Sequence, residues 1–406
     1  IYGLDESRLI DALSAFGEVN LVGRSFGVYV LSVGGESIDI AMPRREKKIG
    51  EGHRGFEVIS DPHMGLSEAS RRRDFTINAL AMDPVTGEIY DPHGGLADIE
   101  RRVLRATDPK AFVEDPLRVL RGAQFSARLG LVVDPETMAG MNQVRGELAS
   151  LPADRVGKEW EKILLKGQYP SRGMEVMKWA GVLSVLHPEL DRLSETPQDP
   201  EHHPEGDVWT HTKMVVDRAR ELSVDLLPEQ REAIMYAALF HDISKPEVTR
   251  TDESGRVVSP GHESLGADRF PDIARNQLRL PNRVIDRVVP LIREHMTPHL
   301  IYRDRDRVGD AAVRRLARRL QPATVEELAR LAEADKTGRG PLGPQTSPAS
   351  QWLVDRARQL NVSAAPEGPL IQGRDLIRLG VRPGPEIGRL LARLQEMQTQ
   401  GEIRTA

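Results

Sequence analysis

The pattern of apolar residues changes character at Asp108-Pro109, and that change constrains the fold more than any other feature of the chain. Before it, short apolar runs are bounded by Gly and Pro, among them Leu21 to Leu31 and Ser37 to Met42, which read as strands. After it the spacing is helical. From Glu114 to Leu129, Val119, Leu120, Ala123, Phe125 and Ala127 recur among arginines, and Asp115-Pro116 has the form of a helix start with proline in the first turn. Further helices are expected from Asp154 to Leu165, where Arg155 and Glu159 could pair one turn apart, from Gln351 to Leu360, and from Pro385 to Gln400. A sheet-bearing N-terminal part followed by helices alone makes an α+β chain. At 406 residues it has room for roughly two to four domains.

Composition excludes more than it assigns. Without cysteine there are no disulfides and no thiolate metal sites. No apolar stretch approaches the roughly twenty residues that cross a bilayer, so no membrane partner and a cytoplasmic location are expected. The formal net charge is only -5, so a nucleic acid would have to be met by local arginine clusters. Arg314, Arg315, Arg318 and Arg319 form one such cluster at helical spacing, a solvated face being the other reading.

Two segments carry chemistry in the first third. Arg71-Arg72-Arg73-Asp74-Phe75-Thr76-Ile77-Asn78-Ala79 and Glu114-Asp115-Pro116-Leu117-Arg118 each join a carboxylate to a guanidinium at short spacing. Such groups grip a triphosphate and offer directional hydrogen bonds to a base edge; salt-bridged helices would use the same residue types. An arginine fork supplies only donors and an ionised aspartate only acceptors, so one pair can read cytosine or adenine if the fork turns slightly.

With Asp91-Pro92-His93-Gly94-Gly95-Leu96 between them, these segments resemble the R-R-D-x-x-x-N-A, flexible Asp-Gly-Gly and E-D-x-x-R patterns of the class II tRNA nucleotidyltransferases, the CCA-adding enzymes and their poly(A) polymerase relatives. The resemblance implies a polymerase beta-like α/β head and an all-α neck. It also implies CTP and ATP as substrates, the tRNA acceptor end as partner, and addition without a nucleic-acid template. Arg72, Arg73, Asp74 and Asn78 would hold the incoming nucleotide, and Asp115 and Arg118, with Arg121 beside them, would read its base. Mg2+ would be needed, held in the family mainly by a D-x-D strand that follows a Gly-Gly-x-Val-Arg-Asp segment. Neither appears here, and in relatives an apolar stretch like Ile1-Tyr2-Gly3-Leu4 follows that strand directly. The missing acids are therefore expected just upstream of an N-terminally truncated head. Asp39 matches the acid opposite the D-x-D and is expected, with Arg73, among the catalytic residues. Alternating with Ile38 and Ile40, it should face away from the apolar side, where a surface aspartate would sit too. Arg44 to Lys48 and Gly50 to Gly55 read as a basic flap over phosphates, or as a solvated loop.

Thr196-Pro197-Gln198-Asp199-Pro200 reads as a polar linker, and beyond it most of the 11 histidines appear. His211, His241, Asp242, His262, His295 and Asp335 offer neutral imidazoles and carboxylate oxygens, ligands suited to Mn, Fe, Co, Ni or Zn. The segment Ala237-Ala238-Leu239-Phe240-His241-Asp242-Ile243-Ser244-Lys245, with His211 before it and Asp335 after, resembles the signature of the HD phosphohydrolases, a helical metal-dependent superfamily. His262 and His295 fall where its two-metal members carry further ligands. The resemblance implies water activated for in-line attack on a phosphate ester, with Lys245 neutralising phosphoryl charge. Some bacterial CCA-adding enzymes carry this domain, which implies 2',3'-cyclic phosphodiesterase, 2'-nucleotidase and phosphatase activities on damaged tRNA ends. The expected organisation is a head at 1–108, a neck at 109–195, an HD domain at 196–340, and a small helical C-terminal element at 341–406 behind a Pro/Gly/Ser-rich linker. CC-only addition, A-only addition, poly(A) synthesis, and an RNA-binding but inactive head beside a working HD site stay open at this level, as does the oligomeric state.

Overall fold

The computed structural model of the chain describes residues 3–22, 28–48, 56–341, 343–403 and 405. Contacts divide it into two compact units, Ile1–Pro152 with Glu175–Val185, and Ala153–Met174 with Leu186–Ala406.

In the first unit, helix α1 (Glu6–Ser14) starts at Asp5, whose carboxylate accepts from the Arg8 backbone N–H. It lays Leu9 and Leu13 on an antiparallel sheet of β1 (Glu18–Val22), β2 (Val28–Val33) and β3 (Glu36–Ala41), in that order. Register pairs Tyr29 with Ile40, and both join Leu31 and Met42 in the core around Leu9. Because side chains alternate along a strand, Asp39, paired with Val30, turns to the opposite and exposed face. The apolar run from Leu21 to Leu31 is two arms of an antiparallel pair rather than one strand, and residues 23–27 lie outside the described residues. Arg44–Lys48 is likewise no loop but strand β4, antiparallel to β5 (Phe56–Ser60). Its all-charged sequence carries no alternation, so the backbone ladder to β5 decides its state. Gly50 to Gly55, the rest of the expected flap, lie outside the described residues.

The chain then forms α2 (Leu66–Arg71), α3 (Gly95–Glu100) and α4 (Leu117–Leu129). Phe75 anchors the segment after α2: it is wholly buried, edge-on to Phe112 at 5.7 Å and to Phe125 at 5.6 Å. A Cβ on Gly122 of α4 would stand 2.3 Å from Met141 Cε and 3.2 Å from the Phe75 ring, so a larger residue there would make the Met141 side chain move.

The second unit is helical apart from one short antiparallel pair, Arg250–Thr251 with Val257–Val258. Helix α5 (Ala153–Lys166) is followed by α6 (Val208–Leu222), α7 (Pro228–Phe240), α8 (His262–Asn276), α9 (Asn282–Glu294), α10 (Asp310–Arg319), α11 (Val325–Thr337), α12 (Pro348–Gln359) and α13 (Pro385–Gln400). From Ala233 to Phe240 every residue of α7 is buried, and a helix apolar on all sides must be central. It packs on α5, α6, α9 and α11 and ends at His241.

Four local expectations change here. Glu159 pairs with Lys162 at 2.7 Å rather than with Arg155. The supposed linker at 196–200 is built in: Thr196 and Gln198 are buried, and Gln198 Oε1 accepts from Lys245 Nζ at 2.8 Å, because internal partners replace water for its polar groups. The Pro/Gly/Ser stretch ends early, since Ser347 is the buried N-cap of α12. The arginines of α10 form a half-exposed face on which each is ion-paired. Arg314 meets Glu367 at 3.1 Å, Arg315 and Arg318 share Glu396, and Arg319 holds Glu294 at 2.7 Å. Among the described residues no helix is long and apolar enough to cross a membrane.

One buried group of this unit makes its stability depend on pH. His187 Nε2 accepts from Trp160 Nε1–H at 2.8 Å while its Nδ1 lies 2.8 Å from Gln277 Oε1. Burial pulls it down from 6.5 to about 4. It is neutral when folded and easily protonated when unfolded, so its contribution is whole above the unfolded value and is lost as pH falls from 6.5 toward 4. Between pH 7 and 5 the expected loss is about 2 kcal/mol, seen as a lower melting temperature whose pH slope His187→Gln flattens. An unchanged slope in that variant would assign the effect to other groups.

Candidate nucleotide and metal sites

In the first unit, the Arg-Arg-Asp segment and the start of α4 come together. Asp74 is buried; its Oδ1 accepts from Asn78 Nδ2 at 2.6 Å, and its Oδ2 pairs with Arg121 Nε. Asn78 Oδ1 in turn accepts from the Phe75 N–H at 3.2 Å, closing the short turn Thr76–Asn78. Arg118 donates to the carbonyls of Ala111 at 2.5 Å and Arg72 at 3.0 Å, bracing α4 against the arginine run. Two of its five N–H donors are thereby used. Asp115 Oδ1 accepts from the Leu117 N–H at 3.0 Å, which holds its carboxylate at the helix start, one turn before Arg118. Arg72 and Arg73 line a cavity of about 200 Å3 that also touches Ala41 and Met42 at the end of β3. The Asp-Gly-Gly segment is ordered by its own aspartate: Asp91 accepts from the N–H groups of Gly95 at 2.7 Å and Leu96 at 2.9 Å. A Cβ on Gly95 would lie 2.4 Å from the Thr76 carbonyl oxygen, so this glycine allows α3 to seat against the Asn78 turn. Asp39 stands exposed on β3.

In the second unit six residues far apart in sequence converge. His211 sits on α6, His241 and Asp242 follow α7, His262 opens α8, His295 ends α9, and Asp335 lies on α11. All are buried. They form two triads of possible ligands, His211, His241 and Asp335, and Asp242, His262 and His295. Asp242 addresses both. Its Oδ2 is 3.2 Å from His241 Nε2 and 4.0 Å from His211 Nε2; its Oδ1 is 3.2 Å from His262 Nε2 and 4.0 Å from His295 Nε2.

Three of the histidines are held by one device. Nδ1 of His241, His262 and His295 lies 2.9, 2.7 and 2.7 Å from the carbonyl three residues earlier, of Ala238, Ser259 and Ile292. A carbonyl only accepts, so Nδ1 carries the proton and each Nε2 presents a lone pair to the common centre. Two such nitrogens, of His262 and His295, stand 3.3 Å apart, where bare lone pairs repel unless a cation draws both. His241 Nε2 and both Asp242 oxygens are buried without an aligned hydrogen bond, although Lys245 Nζ approaches Oδ2 at 2.7 Å. These donors fit divalent metal ions of the imidazole-binding kind. Burial holds His295 down to about 3, a neutral ligand. Burial opposes ionisation of Asp242, but the Lys245 ammonium 2.7 Å away holds it well below the usual carboxylate range.

Sequence reading missed the groups around these triads. Glu205 Oε1 lies 2.7 Å from His211 Nδ1 and 2.9 Å from His203 Nδ1, and its side chain is 1% exposed. Although burial opposes it, these histidines hold Glu205 at about 2, fully ionised. Arg339 stands 3.6 Å from Asp335, and Gln198 carries Lys245. Arg339 lies one helical turn after Asp335, whereas Glu205 and Gln198 fall at no periodic spacing from theirs; only His203-Pro204-Glu205 shortly before His211 hinted at the first.

The fold and these sites define a class: a nucleotidyltransferase with an appended HD-type metal centre. Sequence models of three families match in chain order, the poly A polymerase head domain over residues 11–105, the probable RNA and SrmB-binding site of polymerase A over 130–193, and the HD domain over 208–340. The multifunctional CCA protein of Xanthomonas campestris pv. campestris (strain B100) is 38% identical over 377 residues, 91% of this chain and 86% of that protein. That of Stenotrophomonas maltophilia (strain R551-3) is 39% identical over 382 residues, 92% and 87%. The chain belongs to the multifunctional CCA protein family. Its fold is that of solved CCA-adding enzymes. The Bacillus stearothermophilus enzyme in complex with CTP matches with a TM-score of 0.63 at 21% identity, over 98% of this chain and 82% of that one. The Thermotoga maritima enzyme complexed with tRNA matches at 0.58 and 19%, over 100% and 82%. Nucleotidyltransferase and HD domains imply dependence on divalent metal ions.

Proposed function

We propose that this chain adds CMP and AMP from CTP and ATP to the 3' end of tRNA without a nucleic-acid template, and that its HD centre hydrolyses 2',3'-cyclic, 2'- and other phosphoesters at damaged tRNA ends. The observation that carries the first activity is the bracing of α4 on the arginine run, through Arg118 and the Asp74–Arg121 pair. It makes the phosphate-gripping turn and the base-reading helix one piece. In this reading Arg72 and Arg73 meet the triphosphate beside the cavity they line, Asp74 and Asn78 shape the turn that receives the sugar, and Asp115 and Arg118 present the base edge. Asp39, on the open face of its sheet, contributes to Mg2+ binding.

For the second activity, His211, His241 and Asp335 would hold one divalent ion and His262 and His295 another, with Asp242 offering one oxygen to each. Mn, Fe, Co or Ni suits this donor set. Ions bound there supply Lewis-acid activation of water and of phosphoryl oxygen. Lys245, anchored by Gln198, offsets charge on the phosphoryl group.

Incubation of the protein, expressed from its native start codon, with tRNA lacking CCA, tRNA ending in C, and tRNA ending in CC, each with CTP and ATP, tests the first activity. Completion of all three to CCA is expected. Arrest after CC, or extension only of the last, would define a partial enzyme; long A tails on unrelated RNA would define a poly(A) polymerase; no incorporation would leave the HD centre as sole catalyst and overturn the reading.

A further inference from the structure

We propose that Glu205 is the positioning residue for the ligand His211, setting its tautomer and strengthening it as a donor, with His203 holding Glu205 in place. The proposal rests on reading the histidine and aspartate cluster as a metal centre. His211 differs from the other three histidines of that cluster. Their Nδ1–H groups meet neutral backbone carbonyls, whereas His211 Nδ1 stands 2.7 Å from a carboxylate. A carboxylate only accepts, and both ring nitrogens face one: Nδ1 faces Glu205, and Nε2 faces Asp335 Oδ1 at 3.0 Å and points toward Asp242. With a cation between His211 and Asp335, Nε2 would give it a lone pair, and the proton would stay on Nδ1 beside Glu205. The contact is short but angled, because the same oxygen accepts from His203 Nδ1 at 2.9 Å, in a hydrogen bond that keeps Glu205 from turning away. A charged acceptor polarises the imidazole more than a carbonyl does, and such partners typically govern about 10–100-fold in metal affinity.

Local backbone explains how Glu205 reaches this place. Gly206 adopts φ 113°, open to glycine alone, and Asp207 then caps α6 by accepting from the Thr210 N–H at 2.9 Å. The glutamate is thereby left beside the first turn of α6, whose next turn carries His211.

The test uses the full chain, stripped with chelator and titrated calorimetrically with Mn2+. His211→Ala is expected to abolish or strongly weaken one binding step. Glu205→Gln, the same size without the charge, is expected to weaken that step by about 10–100-fold while leaving the other, and Glu205→Asp to restore part of the loss. His203→Ala, which leaves Glu205 and His211 intact, should give a smaller loss of the same step. If Glu205→Gln and His203→Ala both bind Mn2+ as the parent does while His211→Ala loses a step, the positioning role is wrong. If His211→Ala also binds as the parent does, the metal-centre reading itself fails.

Discussion

Asp242→Asn is expected to lower phosphoester hydrolysis by at least about 100-fold and to weaken Mn2+ binding at both triads together. The size of the effect follows from its place. No other side chain sends one oxygen to within 3.2 Å of His241 and the other to within 3.2 Å of His262 among the described residues. An amide keeps the shape, but it presents a single neutral oxygen in place of two charged ones and turns an NH2 toward one set of lone pairs. Hydrolysis of a 2',3'-cyclic nucleotide and calorimetric Mn2+ titration read the two consequences. His262→Ala should by contrast weaken only its own triad. Equal losses in the two variants would mean that the triads do not act through a shared carboxylate.

Arg118→Lys is expected to relax discrimination between CTP and UTP by about 10–100-fold, the worth of a good bidentate base contact. Lysine retains the charge and loses the planar fork. The structure adds a rival explanation, since Arg118 also braces α4 through the carbonyls of Ala111 and Arg72. The two roles separate in kcat/KM. Loss of the brace lowers the value for every nucleoside triphosphate alike, whereas loss of base reading lowers the cognate values selectively. A uniform loss would retire Arg118 as the base reader and leave Asp115 to be tested alone.

Much of the proposed nucleotide site is legible because its residues are close in sequence and chemically unusual together. An arginine run ending in Asp74 and an Asp115-Pro116 helix start declare themselves without tertiary knowledge. What could not be read was how they are used. Asp74 looked like a nucleotide contact, and the structure gives its two oxygens to Asn78 and Arg121, partners one turn and two helices away. The α10 arginines looked like candidates for RNA, yet each meets a glutamate from elsewhere in its unit. Charge at a helical spacing cannot reveal the acid that will face it.

The amino-acid order alone determined the α+β class, the predominance of helix after Asp108, and the identities of six ligand-type residues. Those properties are local, since periodicity, caps and residue chemistry act over a few positions. Only the tertiary structure decided that Asp242 faces two triads, that His211 answers to a carboxylate while its companions answer to carbonyls, and that Gln198 is buried against Lys245. The reason is physical. A buried polar group must find its partner wherever packing brings one, and packing joins residues whose separation along the chain has no period to read.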